Sequence, residues 1–318
     1  MRWITLLFLA FLWTSAQAQT YPSRAVRIIV PFAPGGSDVL IRAIGAELTQ
    51  KWGQPVVIEN RPGADSLIGA ELVANAPADG HTLLATVDTT MVINRFVYRK
   101  LPYDPDKSFA PISLLAQTDF LILAHPSVPA NDLRELIALA RAKPDSVSFG
   151  SYARGSQADL MFQALNRREG VNLLAVPYKG VSATLAAAAA GEVQLATGGQ
   201  NVIAPLVRAG KLKALAIASS SRGSFLPQIR TTAEQGYPYA LAALWYGLYA
   251  PAGTPEAVLR SIHRDVTAVL KDKDFAQKNL IDQGLTPVAS SPEELARRTA
   301  ADVRRTAELV QSMDIKPE

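Results

Sequence analysis

The 318-residue chain contains no cysteine. That excludes disulfides, a lipid-modified cysteine and any thiolate nucleophile. Histidine is scarce, the three present being His81, His125 and His263. They lie far apart, beside turns or on a helix, and none has a ligand spacing such as H-x-x-x-H, so a zinc-type site has no visible ligand set. There is no G-x-S-x-G elbow and no G-x-G-x-x-G fingerprint, and a lone activated serine would have no visible base. Together these absences argue against an enzyme and against a bound cofactor. Charged residues make up only 19% of the chain. They are dispersed, and no basic block interleaves with aromatics, which argues against nucleic acid as a partner. Beyond Trp13 no segment is long and apolar enough to span a bilayer.

What is present begins with the N-terminus. Met1-Arg2 gives a positive start, Trp3 to Trp13 is almost wholly apolar, and Ala16-Gln17-Ala18 is a small-x-small cleavage site. Residues 1–18 therefore read as a secretory signal peptide, with the mature chain starting at Gln19 in the periplasm. The apolar run falls short of the roughly 20 residues that a membrane anchor needs. Without Arg2 the chain has 31 basic and 28 acidic residues, a net charge of +3. The basic balance is compatible with an anionic ligand. About 300 mature residues predict two domains.

The most informative stretch is VRIIVPFAPGGSDVLIRAIG, Val26 to Gly45. A buried-strand run meets a Pro-Phe-Ala-Pro-Gly-Gly loop that leads into Ser37 and Asp38, which can cap an amphipathic helix. Such a junction aims unpaired backbone N–H groups and the positive end of a helix dipole at one spot. Gly35 and Gly36 let a ligand approach the backbone closely, and a carboxylate is the natural occupant.

Further along, strands and helices alternate as in parallel-sheet α/β folds. Strands are predicted at Val56 to Glu59, Thr82 to Thr86, Ser113 to Ala124, Val147 to Gly150, Leu174 to Tyr178, Val193 to Ala196 and Leu212 to Ala218. Helices are predicted at Ser66 to Asn75, at Asp132 to Ala142 with Asn131 as N-cap, and at Ser182 to Ala190. After Tyr239 three helices are predicted: Pro255 to Lys271, Asp274 to Gln283 and Pro292 to Met313. Thr254 and Ser291 are the expected hydroxyl caps, and Glu294 completes a capping box with Ser291. A second strand–loop–helix junction, Gly150 to Gln157, matches the first. Two such junctions at carboxyl ends of strands, facing each other, make a cleft that can close on a small anion.

These residues resemble the periplasmic solute-binding proteins of tripartite tricarboxylate transporters, the Bug family. The matching strings are YPSRAVRIIVPFAPGGSD, GQPVVIENRPGADSLIGAELVANAPADGHTLL, LPYDPDKSFAPISLLAQ, VPYKG, AGKLKALAIASSSR and LWYGLYAPAGTP. They run in order from Tyr21 to Pro255, with a looser match to the C-terminus. The resemblance implies a periplasmic-binding-protein-like α/β fold, a Venus flytrap of two doubly wound lobes joined by crossover strands. Its expected division is residues 19–118 plus 240–318 for one lobe and 119–239 for the other. The crossovers are expected in Ser113 to Ala124 and between Ala218 and Trp245. It implies no catalysis, a small organic carboxylate as ligand, a monomer, and delivery of the solute to membrane permease subunits. The ligand-holding positions it implies are the Phe32 to Asp38 loop, Thr86 to Thr90, Gly150 to Gln157 and Tyr178 to Gly180. The chain departs from the family pattern in four places. Only Ser37 separates Gly36 from Asp38, Asp159 stands where a His is common, Ala187 replaces an acidic residue, and QLATGG replaces an acid-bearing strand end. Fewer acids in the second lobe make that side more tolerant of a fully charged or an apolar ligand.

The candidate site is therefore Phe32, Ala33, Gly35, Gly36, Ser37, Asp38, Thr86, Thr89, Thr90, Arg154, Gly155, Ser156, Gln157, Tyr178 and Gly180. Several have ordinary structural alternatives. Asp38 and Ser156 can serve as helix caps, the threonines suit a strand end by propensity, and Arg154 can be a solvated loop residue. Tyr178 and Phe32 can pack as core. Asp88, among the threonines, would repel a carboxylate or bind an amino group. Two other functions share this cleft: a carboxylate receptor feeding a sensor protein, and a periplasmic hydrolase or isomerase of carboxylates.

Overall fold

A computed structural model describes residues 21–152, 155–178, 180–220, 222 and 226–312, with the backbone alone at positions 36, 37, 201 and 312. The signal-peptide reading, Arg154, Lys179 and the end of the last helix at Met313 lie outside the described residues.

In the N-terminal half, β1 (Val26–Val30) is followed by α1 (Gly36–Trp52), β2 (Val56–Asn60), α2 (Leu67–Ala74) and β3 (Thr82–Val87). β1 lies between β2 and β3 and is parallel to both. Alternate residues of β1 point to opposite faces. Val26, Ile28 and Val30 join the core under α1, while Ile29 joins the core beneath α2. Both faces of β1 are covered, so its residues are apolar except for Arg27 rather than strictly alternating apolar with polar. A π-helical turn, Thr89–Ile93, and the short α3 (Asn94–Val97) follow β3; neither is signalled in the sequence.

β4 (Phe109–Ala124) is 16 residues long and changes sheets along its length. Phe109 to Asp119 pair antiparallel with β9 (Ala243–Pro251), whereas Phe120 to Ala124 pair with β7 (Leu195–Gly199) and β8 (Lys213–Ile217). The side chains follow this change. Ile112, Leu115 and Ala116 pack in the first half's core, and Phe120 and Ile122 in the second's.

The second half repeats the alternation. α4 (Leu133–Ala142), β5 (Ser148–Ser151), α5 (Gln157–Glu169), β6 (Leu174–Pro177), α6 (Val181–Ala190), β7, α7 (Gln200–Arg208) and β8 follow in order. β5 is parallel to both β6 and β7. One core lies under α4 and α5 and another under α6 and α7. The continuous order is β2-β1-β3-β9-β4-β7-β5-β6, with β8 and the two-residue β10 (Thr286–Pro287) pairing to β4. The C-terminal helices α8 (Glu256–Lys271), α9 (Lys273–Asn279) and α10 (Pro292–Ser312) return to the first half.

Several local expectations need correction. α4 is capped by Asp132, whose side chain accepts from the Glu135 backbone N–H at 2.8 Å, and not by Asn131. Thr254 caps nothing, because its hydroxyl donates to the Pro251 carbonyl at 2.8 Å and α8 starts after Pro255. α9 ends at Asn279, and a separate 3-10 turn, Ile281–Gln283, closes on left-handed Gly284. β7 begins at Leu195 rather than Val193, and α7 was not expected at all. The Ser291–Glu294 capping box is present, with N–H to side-chain distances of 2.8 and 3.2 Å.

Candidate functional site

The parallel strands of both halves end on a common cleft of about 1130 Å³. Its walls are the segments that follow β1, β2, β3, β5, β6 and β7, and its floor includes Thr118 and Phe120 of β4 with Leu244 and Tyr246 of β9. Open α/β sheets bind ligands outside the carboxyl ends of their strands. The floor is where β4 passes from one sheet to the other.

The first wall is the β1–α1 loop. Phe32, Ala33 and Gly35 line the cleft. α1 starts at Gly36, with Gly35 in the cap position and no side-chain cap. Ser37 and Asp38 therefore lie within the first turn instead of preceding the helix, which corrects the capping expectation; the Ser37 side chain lies outside the described residues. Asp38 is buried and pairs through Oδ2 with Arg42 Nε at 2.8 Å. Arg42 also donates to Asn60 Oδ1, and Asn60 Nδ2 donates to the Phe32 carbonyl at 3.1 Å. Asp38 thus holds the loop through a relay to β2 and does not line the cleft.

The β2–α2 turn forms the next part of the wall and was not anticipated. Pro62, Gly63, Ala64, Asp65 and Ser66 all face the cleft. Ala64, Asp65 and Ser66 have φ of 45°, 47° and 81°. Left-handed backbone costs an ordinary L-residue roughly 1–2 kcal/mol. The sequence signal was Pro62-Gly63 just beyond the end of β2, a turn signature at a strand's carboxyl end.

Thr89 lines the cleft, but Thr86 and Thr90 lie behind its wall. Their hydroxyls bond to each other, and Thr90 donates onward to Ser66 Oγ at 2.7 Å. They brace the β2–α2 turn from within. Asp88 is buried, outside the cleft lining, and its carboxyl is pushed up to about 7, first by burial and then by the neighbouring Asp302 charge.

On the opposite wall, Tyr178 and Gly180 line the cleft together with Ser151, Tyr152, Asp159, Gln163 and Val202. Burial pushes the Tyr152 hydroxyl well above its ordinary range, so it stays a neutral donor. Gly155, Ser156 and Gln157 are brought elsewhere. A Cβ on Gly155 would stand 2.5 Å from Val97 of α3, Ser156 caps α5 through the Asp159 N–H, and Gln157 is bonded to Arg305 of α10. Gly155, Ser156 and Gln157 thus pack toward the first half and do not line the cleft, whereas Asp159 in the first turn of α5 does. Ala187 is buried in the core under α6 and α7.

Among the described residues the lining holds two charged side chains, Asp65 and Asp159, and no Lys, Arg or His. No group of three metal-capable side chains occurs among them, and no helix there is long and apolar enough to cross a membrane. What the cleft offers a ligand is backbone, hydroxyls, aromatic surface and these two carboxylates.

Fold and cleft together define a two-lobed α/β solute-binding protein. Residues 40–315 match the model of the tripartite tricarboxylate transporter family receptor. BugT of Bordetella pertussis is 33% identical over 301 residues, covering 94% of this chain and 92% of BugT. A solved structure of Rhodopseudomonas palustris Rpa4515 with adipate superposes with a TM-score of 0.87 at 34% identity, covering 94% of this chain and 100% of that one. MatC of Rhodopseudomonas palustris, with bound malate, gives 0.80 at 34% identity, with 91% and 100% covered. The chain belongs to the tripartite tricarboxylate transporter receptor family, whose members are periplasmic solute-binding proteins.

Proposed function

We propose that this chain captures a small carboxylate in the periplasm and presents it, in a closed cleft, to the permease subunits of a tripartite transporter. The observation that carries this reading is the position of Gly35. It is exposed at the start of α1, in a β1–α1 loop that puts no charged side chain of its own into the cleft. Backbone N–H groups and the helix dipole favour an anion there. The adipate and malate held by two relatives are small carboxylates, in keeping with that chemistry.

In this reading residues 1–18 direct export, and residues 19–118 plus 240–318 move against 119–239. Binding energy closes the cleft, and the closed form is what a permease recognises. Phe32, Ala33, Gly35 to Ser37 and Thr89 hold one end of the ligand, and Tyr178, Gly180 and Arg154 the other. The protein acts as a monomer and returns its ligand chemically unchanged. Native mass spectrometry of the mature protein, with thermal shifts against di- and tricarboxylates, aromatic acids and acidic amino acids, tests this. A carboxylate that co-purifies intact or raises Tm with concentration is the expected result. No ligand and no shift across the panel, or turnover of a bound acid, would refute it.

A further inference from the structure

The β2–α2 turn puts an ionisable side chain where the backbone resists one. Three successive non-glycine residues, Ala64 to Ser66, have left-handed φ. The turn is nevertheless firmly held. Asn94 Nδ2 donates to the Asp65 carbonyl at 2.9 Å, the Tyr98 hydroxyl donates to Asp65 Oδ2 at 2.7 Å, and Thr90 donates to Ser66 Oγ at 2.7 Å. Strain maintained by surrounding contacts is a feature of functional sites.

Asp65 shares its wall with the anion seat. α2 lies against the first loop so closely that a Cβ on Gly69 would stand 2.6 Å from Pro31, next to Phe32. Asp65 lines the same cleft as Gly35, and no cation among the described lining residues neutralises it. Asp159, across the cleft, already accepts from the Gly155 N–H and Gln163 Nε2. When the cleft closes and water leaves, a carboxylate seated at Gly35 and the Asp65 carboxylate repel more strongly. A ligand that brings its own donor converts that repulsion into a charge-assisted hydrogen bond.

Building on the carboxylate reading above, we infer that Asp65 is a specificity-determining residue. It selects small carboxylates bearing a hydroxyl or ammonium beside the carboxylate over the plain polycarboxylates of the same skeleton.

Titration calorimetry on the mature protein tests this with matched probes: malate and aspartate against succinate, and citrate against tricarballylate. The donor-bearing acid of at least one matched set is expected to bind wild type roughly tenfold more tightly than its plain counterpart. Asp65→Asn keeps the size and tolerates left-handed φ while removing the charge, and should bring that ratio to within about threefold, mainly by tightening the plain acid. Asp65→Gly, which relieves the backbone as well, should do the same, with thermal unfolding confirming that both variants fold. A wild type without donor preference, or a ratio unchanged in both folded variants, overturns the assignment and leaves the carboxylate reading intact. A wild type that binds no carboxylate in these sets or in the wider panel refutes that reading itself, and the role of Asp65 with it.

Discussion

Arg305, on the last helix, donates from Nη2 to Oε1 of Gln157, the first residue of α5, over 3.1 Å. The same guanidinium stands 3.5 Å from Asp302, which accepts from the indole of buried Trp245 and from Arg298. One polar chain thus ties α10 and β9 to the start of a second-half helix. Arg305→Ala should lower stability by about 1 kcal/mol and Tm by roughly 2–4 °C, because Gln157 is left buried with an unmet acceptor. Scanning calorimetry of wild type and variant checks this; an unchanged Tm would mean that solvent replaces the guanidinium.

Asp88 supplies a pH dependence. Burial and Asp302 raise its pKa from an ordinary 3.8 to about 7, opposed by the Thr89 backbone, Gln157 and Arg305, with Tyr152 also facing it. A carboxyl with a raised folded pKa favours the folded state while protonated. Its contribution is complete below about pH 4 and is lost as pH rises through about 7. Urea unfolding at pH 5, 6, 7 and 8 should show wild type losing stability toward pH 8 and Asp88→Asn losing less. Glu59, held down to about 2 by Arg27, acts in the opposite sense and only at lower pH. Parallel curves for the two proteins would remove Asp88 as the cause.

A Cβ at Gly35 would make no close contact with the protein. The nearest atom to a Cβ there is the Ala33 carbonyl oxygen at 3.9 Å, and φ is 165°, an extended value open to any residue. Gly35→Leu should therefore fold with nearly the wild-type Tm while weakening carboxylate binding at least about tenfold by obstructing the backbone. Calorimetric titration beside a melting curve separates the two effects.

Gly69 makes the opposite prediction. Its Cβ would lie 2.9 Å from both the Pro31 Cα and the Arg61 carbonyl oxygen, backbone atoms that cannot step aside cheaply. Gly69→Ala should cost about 1–3 kcal/mol and shift the β1–α1 loop. Chemical denaturation reports the first effect, and reduced affinity in the folded variant reports the second.

The strand cores were legible because Val26, Ile28 and Val30 are apolar in a short run bounded by turn residues, a signal that tertiary context did not overrule. Ser156 and the Ser291–Glu294 box were legible because a cap is a local hydrogen bond. Asp132 displaced Asn131 because two adjacent cap-competent residues are separated only by where the helix begins. Thr86 and Thr90 were read toward the ligand because sequence gives the hydroxyl but not its direction, and the π-helical turn aims it at Ser66. The burial of Gln157 against Arg305 was beyond reach, since it joins residues 148 positions apart. Asp65 was missed because nothing local marks an aspartate as left-handed.

β4 lies between β9 and β7, and its C-terminal half also pairs with β8. Its partners are all made after it, and β9 is made near the end of the chain. A nascent chain that has produced β4 has nothing in register to lay against it. Contacts of such long sequence separation form slowly. The floor of the binding cleft is consequently completed late, when β9, at the start of the last quarter of the chain, becomes available to pair with β4.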